Sequence, residues 1–80
     1  MSRIIPIHWK VLECVFLKDG FIFDRQEGSH RTYTKKGIIR PIIIPTYKSI
    51  GIDIIKSNLR SAKMNRKRYL ELLELCKDKS

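Results

Sequence analysis

Two glycine-bearing turns, Glu27-Gly28 and Lys36-Gly37, divide the middle of this chain into three short β-forming stretches, and segments with helical spacing flank them on both sides. Strands joined by turns this tight pair antiparallel, because parallel pairing needs a crossover of a dozen or more residues. Phe21 to Gln26 reads as the first strand, entered from Gly20. His30 to Lys35 reads as the return strand, with His30, Thr32 and Thr34 on one face and Arg31, Tyr33 and Lys35 on the other. Ile38 to Ile44 reads as the third. Pro41 within it lacks an N–H for the ladder, which points to an edge position or a bulge, and Pro45 closes it.

Helical periodicity governs both flanks. From His8 to Asp19 the apolar residues Trp9, Leu12, Val15 and Phe16 recur at helical spacing, and Gly20 is placed to end the helix. After Pro45, Ile52, Ile55, Leu59 and Ala62 form a second stripe, capped by Asp53 or Ser49. Near Lys63 the helical part breaks. Asn65 then caps a last helix with Tyr69, Leu72, Leu73 and Cys76 along one side. The order is α-β-β-β-α, with its C-terminal helical part in two pieces. Helices covering one face of a three-stranded antiparallel sheet make this an α+β fold.

Eighty residues, 42% of them apolar, suffice for one domain spanning residues 1–80 and leave no room for a cleft between two. The two cysteines, Cys14 and Cys76, lie near opposite ends of the sequence, without the close spacing of zinc ligands. Both are expected to be free thiols in a reducing, cytoplasmic setting. No metal or cofactor is called for. Apolar runs such as Val15-Phe16-Leu17 fall far short of the roughly 20 residues that a membrane-spanning helix needs.

The net charge of +9 is unevenly placed. Residues 28–70 hold eleven basic side chains and a single acid, Asp53, while both flanks are nearly neutral. Such a segment repels itself and attracts polyanions. Nucleic acid is the leading partner, an acidic protein explains the pattern almost as well, and a membrane surface ranks lower because no helix face is uniformly basic. Arg66, Lys67 and Arg68 open the last helix against its dipole. They either serve an anionic surface or are simply exposed and screened.

Candidates for chemistry are few. The chain has no glycine-rich phosphate loop, no paired carboxylates near a plausible site and no Cys–His spacing that suggests nucleophilic catalysis. Of its two histidines, His8 stands at the start of the first helix. His30 follows Gly28-Ser29 at a hairpin and begins the basic half. A lone histidine is usually structural. Within a basic field it acquires a specific use, because RNA carries its own nucleophile, the 2′-hydroxyl. Cleavage then needs a base for that proton or an acid for the leaving 5′-oxygen, with cations to stabilise the phosphorane.

Asp19-Gly20-Phe21, Gly28-Ser29-His30, a strand ending at Pro45, and Leu59-Arg60-Ser61-Ala62 occur in an order and spacing that resemble the HicA (YcfA-like) toxin family. The resemblance runs from about Lys10 to Leu73. It implies a double-stranded-RNA-binding-domain-like fold and an mRNA interferase of a type II toxin–antitoxin pair, neutralised by a HicB-like antitoxin. His30 matches the family's catalytic histidine, and Gly28 and Ser29 match the residues that present it. Two positions depart from the family pattern. Pro45-Thr46-Tyr47 stands where many members have Pro-x-His, so any part of a second histidine is lost or passes to Tyr47. Gly51-Ile52-Asp53-Ile54 is shifted against the family's Gly-Thr-Leu helix entry.

The sequence therefore leads to a metal-independent endoribonuclease toxin acting on mRNA, with His30 as general acid or base and Ser29 orienting it or contacting phosphate. Arg31, Lys35, Lys36, Arg40, Lys48, Lys56 and Arg60 are the candidate RNA contacts. The rival readings are a non-catalytic double-stranded-RNA-binding module and an interaction domain for an acidic protein.

Overall fold

A computed structural model describes residues 3–77. It comprises α1 (Trp9–Lys18), β1 (Ile22–Glu27), β2 (His30–Thr34), β3 (Ile42–Pro45), α2 (Ile52–Ala62) and α3 (Arg66–Cys76). The strands form one antiparallel sheet in the order β1-β2-β3. This is the double-stranded-RNA-binding-domain-like α+β architecture, with the C-terminal helical part split in two.

Local chemistry accounts for most boundaries. His8 caps α1, its Nδ1 accepting from the Lys10 N–H at 3.1 Å, and Gly20, at φ +103°, turns the chain into β1. Lys63 adopts the left-handed conformation that ends α2, and the Asn65 side chain caps α3 by accepting from the Arg68 N–H at 2.8 Å. The cap of α2 differs from expectation. Neither Asp53 nor Ser49 supplies it: Gly51 occupies the N-cap without a side-chain bond, and Asp53 lies inside the first turn, where its charge favours the helix dipole.

β3 is shorter than its apolar run suggests. Pairing begins at Ile42, one residue after Pro41, so the proline ends the ladder and does not interrupt it. β3 is an edge strand, and the proline read as lying within it stands just outside its ladder. β1, the other edge, carries a bulge between Phe23 and Arg25 and is exposed along its length, its latter part filled with charged and polar residues that discourage further pairing.

The core lies between the helices and one face of the sheet. Leu12, Val15 and Phe16 of α1, Ile55 of α2 and Tyr69 of α3 meet Tyr33, Ile42 and Ile44 of the sheet, all essentially inaccessible to water. Each such side chain contributes about 1.5–3 kcal/mol through burial. The N-terminal segment is tied to the approach to α2 by a two-way backbone bridge between Ile7 and Ile50.

The cysteines are a correction. Cys14 and Cys76 form a disulfide between α1 and α3, with Cα atoms 5.9 Å apart across a sequence separation of 62. Distance along the chain concealed that α3 folds back onto α1 with Tyr69, Leu72 and Cys76 buried. At the start of α3, Arg68 has found a partner. Its Nε lies 3.2 Å from Asp19, which also receives Lys35 at 3.1 Å, so one carboxylate holds β2 and α3 to the end of α1.

Candidate nucleic-acid interface

Glu27 and His30 pair across a two-residue turn made by Gly28 and Ser29. Gly28 has φ +60°, and no positive φ occurs at Ser29, the pattern of a type II′ hairpin turn with glycine at its first central position. The tip is braced from the far strand: the Thr46 N–H donates to the Ser29 carbonyl at 2.8 Å, and His30 stands opposite Pro45. His30 therefore sits on the central strand, held on both sides, with its side chain exposed.

Alternation along β2 divides the candidate residues between two faces. His30, Thr32 and Thr34 share the face turned away from the helices, joined there by Ile43 and Pro45 through the β2–β3 register. Arg31 and Tyr33 occupy the helical face. The Arg31 guanidinium lies 3.0 Å from Glu13, donates to the Tyr33 hydroxyl at 2.9 Å and to Gln26 at 2.7 Å, and stacks 4.3 Å from the centre of the Phe23 ring. Tyr33 in turn donates to Glu13. Burial, reinforced by the bond to Glu13, pushes the Tyr33 hydroxyl up to about 12, and the hydrogen bond to Tyr33 holds Arg31 above its ordinary value despite desolvation.

The seven candidate RNA contacts thus fall into two groups. Arg31 and Lys35 are engaged by Glu13 and Asp19. Lys36, Arg40, Lys48, Lys56 and Arg60 are exposed and have no acidic partner among the described residues. The His30 ring has no hydrogen-bond partner among the described residues, and Ser29 engages through its backbone carbonyl. Tyr47 lies two residues beyond Pro45 and is about half exposed, its carbonyl accepting from the Trp9 N–H. Among the described residues, no group of three or more His, Cys, Asp or Glu side chains is placed to hold a metal ion, and no helix is long and apolar enough to cross a membrane.

A family model described as the HicA toxin of bacterial toxin–antitoxin matches residues 9–64. The chain belongs to the HicA toxin family. Membership gives it the role of the toxin in such a pair, with an antitoxin as partner. The match starts at the first residue of α1 and ends at the break before α3, so the HicA region covers the sheet, both its turns and α2, while α3 and its half of the disulfide lie outside it. No curated protein and no solved structure gives a significant match.

The sequence reading missed the groove between β3 and α2. Arg40, Arg60 and Lys63 line one end of it, and Ser57, Asn58 and Ser61 extend it along the helix. Asn58 was the available signal: it is a polar residue three positions after Ile55, on the buried side of α2, and it is 7% exposed.

Proposed function

We propose that this HicA toxin is an endoribonuclease that cleaves mRNA in the cytoplasm, is held in check by a HicB-like antitoxin, and uses His30 as its general acid or base. The observation that carries this reading is the position of His30. An exposed imidazole stands on a braced hairpin of a HicA toxin, on the sheet face free of helices, in the segment that holds the protein's excess positive charge.

The chemistry asks for little more. The substrate's 2′-hydroxyl attacks the adjacent phosphorus, His30 accepts that proton or delivers one to the departing 5′-oxygen, and no metal is required for either transfer. Gly28 and Ser29 present the ring through the turn. Lys36, Arg40, Lys48, Lys56 and Arg60 supply salt-dependent contacts to the RNA backbone, largely indifferent to sequence. Arg31 and Lys35 act beneath them by fixing β2 to α1.

The test is His30→Ala. The variant should lose RNA cleavage and growth arrest while keeping the parent's melting temperature and its binding to the antitoxin. Cleavage by the purified variant at the parent rate refutes the assignment. RNA binding by a parent protein that cuts nothing and arrests no growth would leave the non-catalytic RNA-binding module in its place.

A further inference from the structure

One histidine serves only one end of the reaction proposed above. Cleavage takes a proton from the 2′-hydroxyl and gives one to the departing 5′-oxygen, on opposite sides of the phosphorus. A second proton-transfer group beside His30 is therefore called for.

Glu27 stands in that place. The register pairs it directly with His30 across the Gly28-Ser29 turn. The preceding pair, Gln26 and Arg31, meets on the helical face, where the two side chains bond at 2.7 Å. Alternation then sends Glu27 and His30 together to the open face. Arg25, two residues back on β1, agrees with this: its Nε lies 3.9 Å from the Glu27 carboxylate. Directly opposed residues have Cβ atoms about 4.5–5.5 Å apart, so carboxylate and imidazole leave the sheet side by side. Both residues are exposed, and no hydrogen bond or ion pair joins them among the described residues. Two such groups can straddle one phosphodiester.

The charge of Glu27 is the independent observation. It adjoins the segment that holds the chain's excess positive charge, yet a carboxylate there repels an incoming phosphate and weakens RNA binding. A residue that works against binding at this spot points to a use in the chemistry.

We propose that Glu27 is a second catalytic residue: its carboxylate takes the 2′-hydroxyl proton, and the His30 imidazolium delivers one to the 5′-oxygen. This rests on the RNA-cleavage reading above and specifies which transfer His30 performs. A carboxylate gives up its proton at lower pH than an imidazolium does, so free base and loaded acid coexist, while the reverse pairing is scarce. The 2′-oxygen bonds to phosphorus as the bond to the 5′-oxygen breaks, leaving a 2′,3′-cyclic phosphate and a 5′-hydroxyl. One proton is taken and one given, and exchange with solvent resets the pair.

Kinetics are measured on an RNA that the parent cuts. Glu27→Gln should lower kcat about 100-fold or more, the worth of a general base. It should keep the parent's melting temperature, because the carboxylate is exposed and its pair with Arg25 is weak. It should bind uncleavable 2′-O-methyl RNA at least as tightly as the parent, because a repulsive charge is gone. The same RNA with sulfur in place of the departing 5′-oxygen separates the two roles, since a thiolate leaves without a proton. On that substrate His30→Ala should approach the parent rate, while Glu27→Gln should stay slow.

A Glu27→Gln protein that cuts ordinary RNA at the parent rate, or that loses binding as much as cleavage, overturns the proposal. Rescue of Glu27→Gln by the sulfur substrate, without rescue of His30→Ala, overturns it by reversing the roles. A Tyr47→Phe protein that stays slow on that substrate, beside a fast Glu27→Gln protein, overturns it in favour of Tyr47. Parent-rate cleavage by Glu27→Gln beside an inactive His30→Ala leaves the His30 assignment standing. Parent-rate cleavage of ordinary RNA by His30→Ala removes that assignment and this one with it.

Discussion

Arg31 is anchored to Glu13 of α1, 3.0 Å away, although it directly follows His30 in the sequence. One step along β2 carries a side chain from the open face to the helical one, and there Arg31 meets a carboxylate, a tyrosine and the Phe23 ring. Both partners of the ion pair are largely shielded from water. Glu13→Ala leaves the guanidinium and the Tyr33 hydroxyl without their acceptor and should cost about 2 kcal/mol, a fall in melting temperature of about 8–16 °C. Arg31→Ala should destabilise comparably while the folded variant binds RNA as the parent does. An Arg31→Ala protein of parental stability with much weaker RNA binding would restore Arg31 to the RNA contacts.

Alkaline pH should unfold this protein through its buried tyrosines. Burial pushes both Tyr33 and Tyr69 up to about 12, against about 10 in the unfolded chain. Their folded-state pKa is the higher one, so between pH 10 and 12 the native state binds protons that the unfolded state has released. The stabilisation is complete below pH 10 and is lost as pH rises towards 12, by about 1.4 kcal/mol per pH unit for each tyrosine. Urea unfolding at a series of alkaline pH values measures this loss. Tyr33→Phe should remove about half of the slope attributable to tyrosine.

What the sequence disclosed and what it concealed separate by range. Asn65 as a cap, Gly20 as a helix stop and Gly28 at the hairpin each follow from the conformational rules of one residue, and each is found where those rules place it, whereas Pro41, read as part of the third strand, lies just before it. The division of His30 from Arg31 follows equally from the two-residue period of a strand. The disulfide, the partners of Arg31 and Lys35, and the burial of Asn58 depend on which elements meet in space. A count of charges treats Lys35 and Lys36 alike. Packing gives the first to Asp19 and leaves the second in solvent.

Gly28 links conformation to activity. Its φ of +60° is strained for any side chain, yet a Cβ there would meet no atom within 4 Å, so substitution affects the backbone alone. Gly28→Ala should cost about 1–2 kcal/mol of stability. Cleavage should fall further than this loss explains at a temperature where the variant is fully folded, because the turn that sets the direction of His30 relaxes. Equal cleavage by the folded Gly28→Ala protein and the parent would show that the turn geometry does not position the imidazole.

The Cys14–Cys76 bond makes the last helix a redox-dependent part of the fold. It closes a loop across 62 positions, and in the chain-entropy account a constraint of that length destabilises the unfolded state by about 4 kcal/mol. A reducing environment removes that contribution. α3 must then stay docked through Tyr69, Leu72 and the Arg68–Asp19 pair. Adding a thiol reductant should therefore lower the melting temperature of the parent by more than 10 °C without unfolding it at 25 °C, while Cys14→Ser should show the lower value from the start and no response to reductant. RNA cleavage should be equal in the oxidised and reduced forms at 25 °C, since the disulfide joins α1 to α3 and His30 lies on the opposite face of the sheet. A parent whose melting temperature ignores the reductant would show that the two thiols are unpaired in solution.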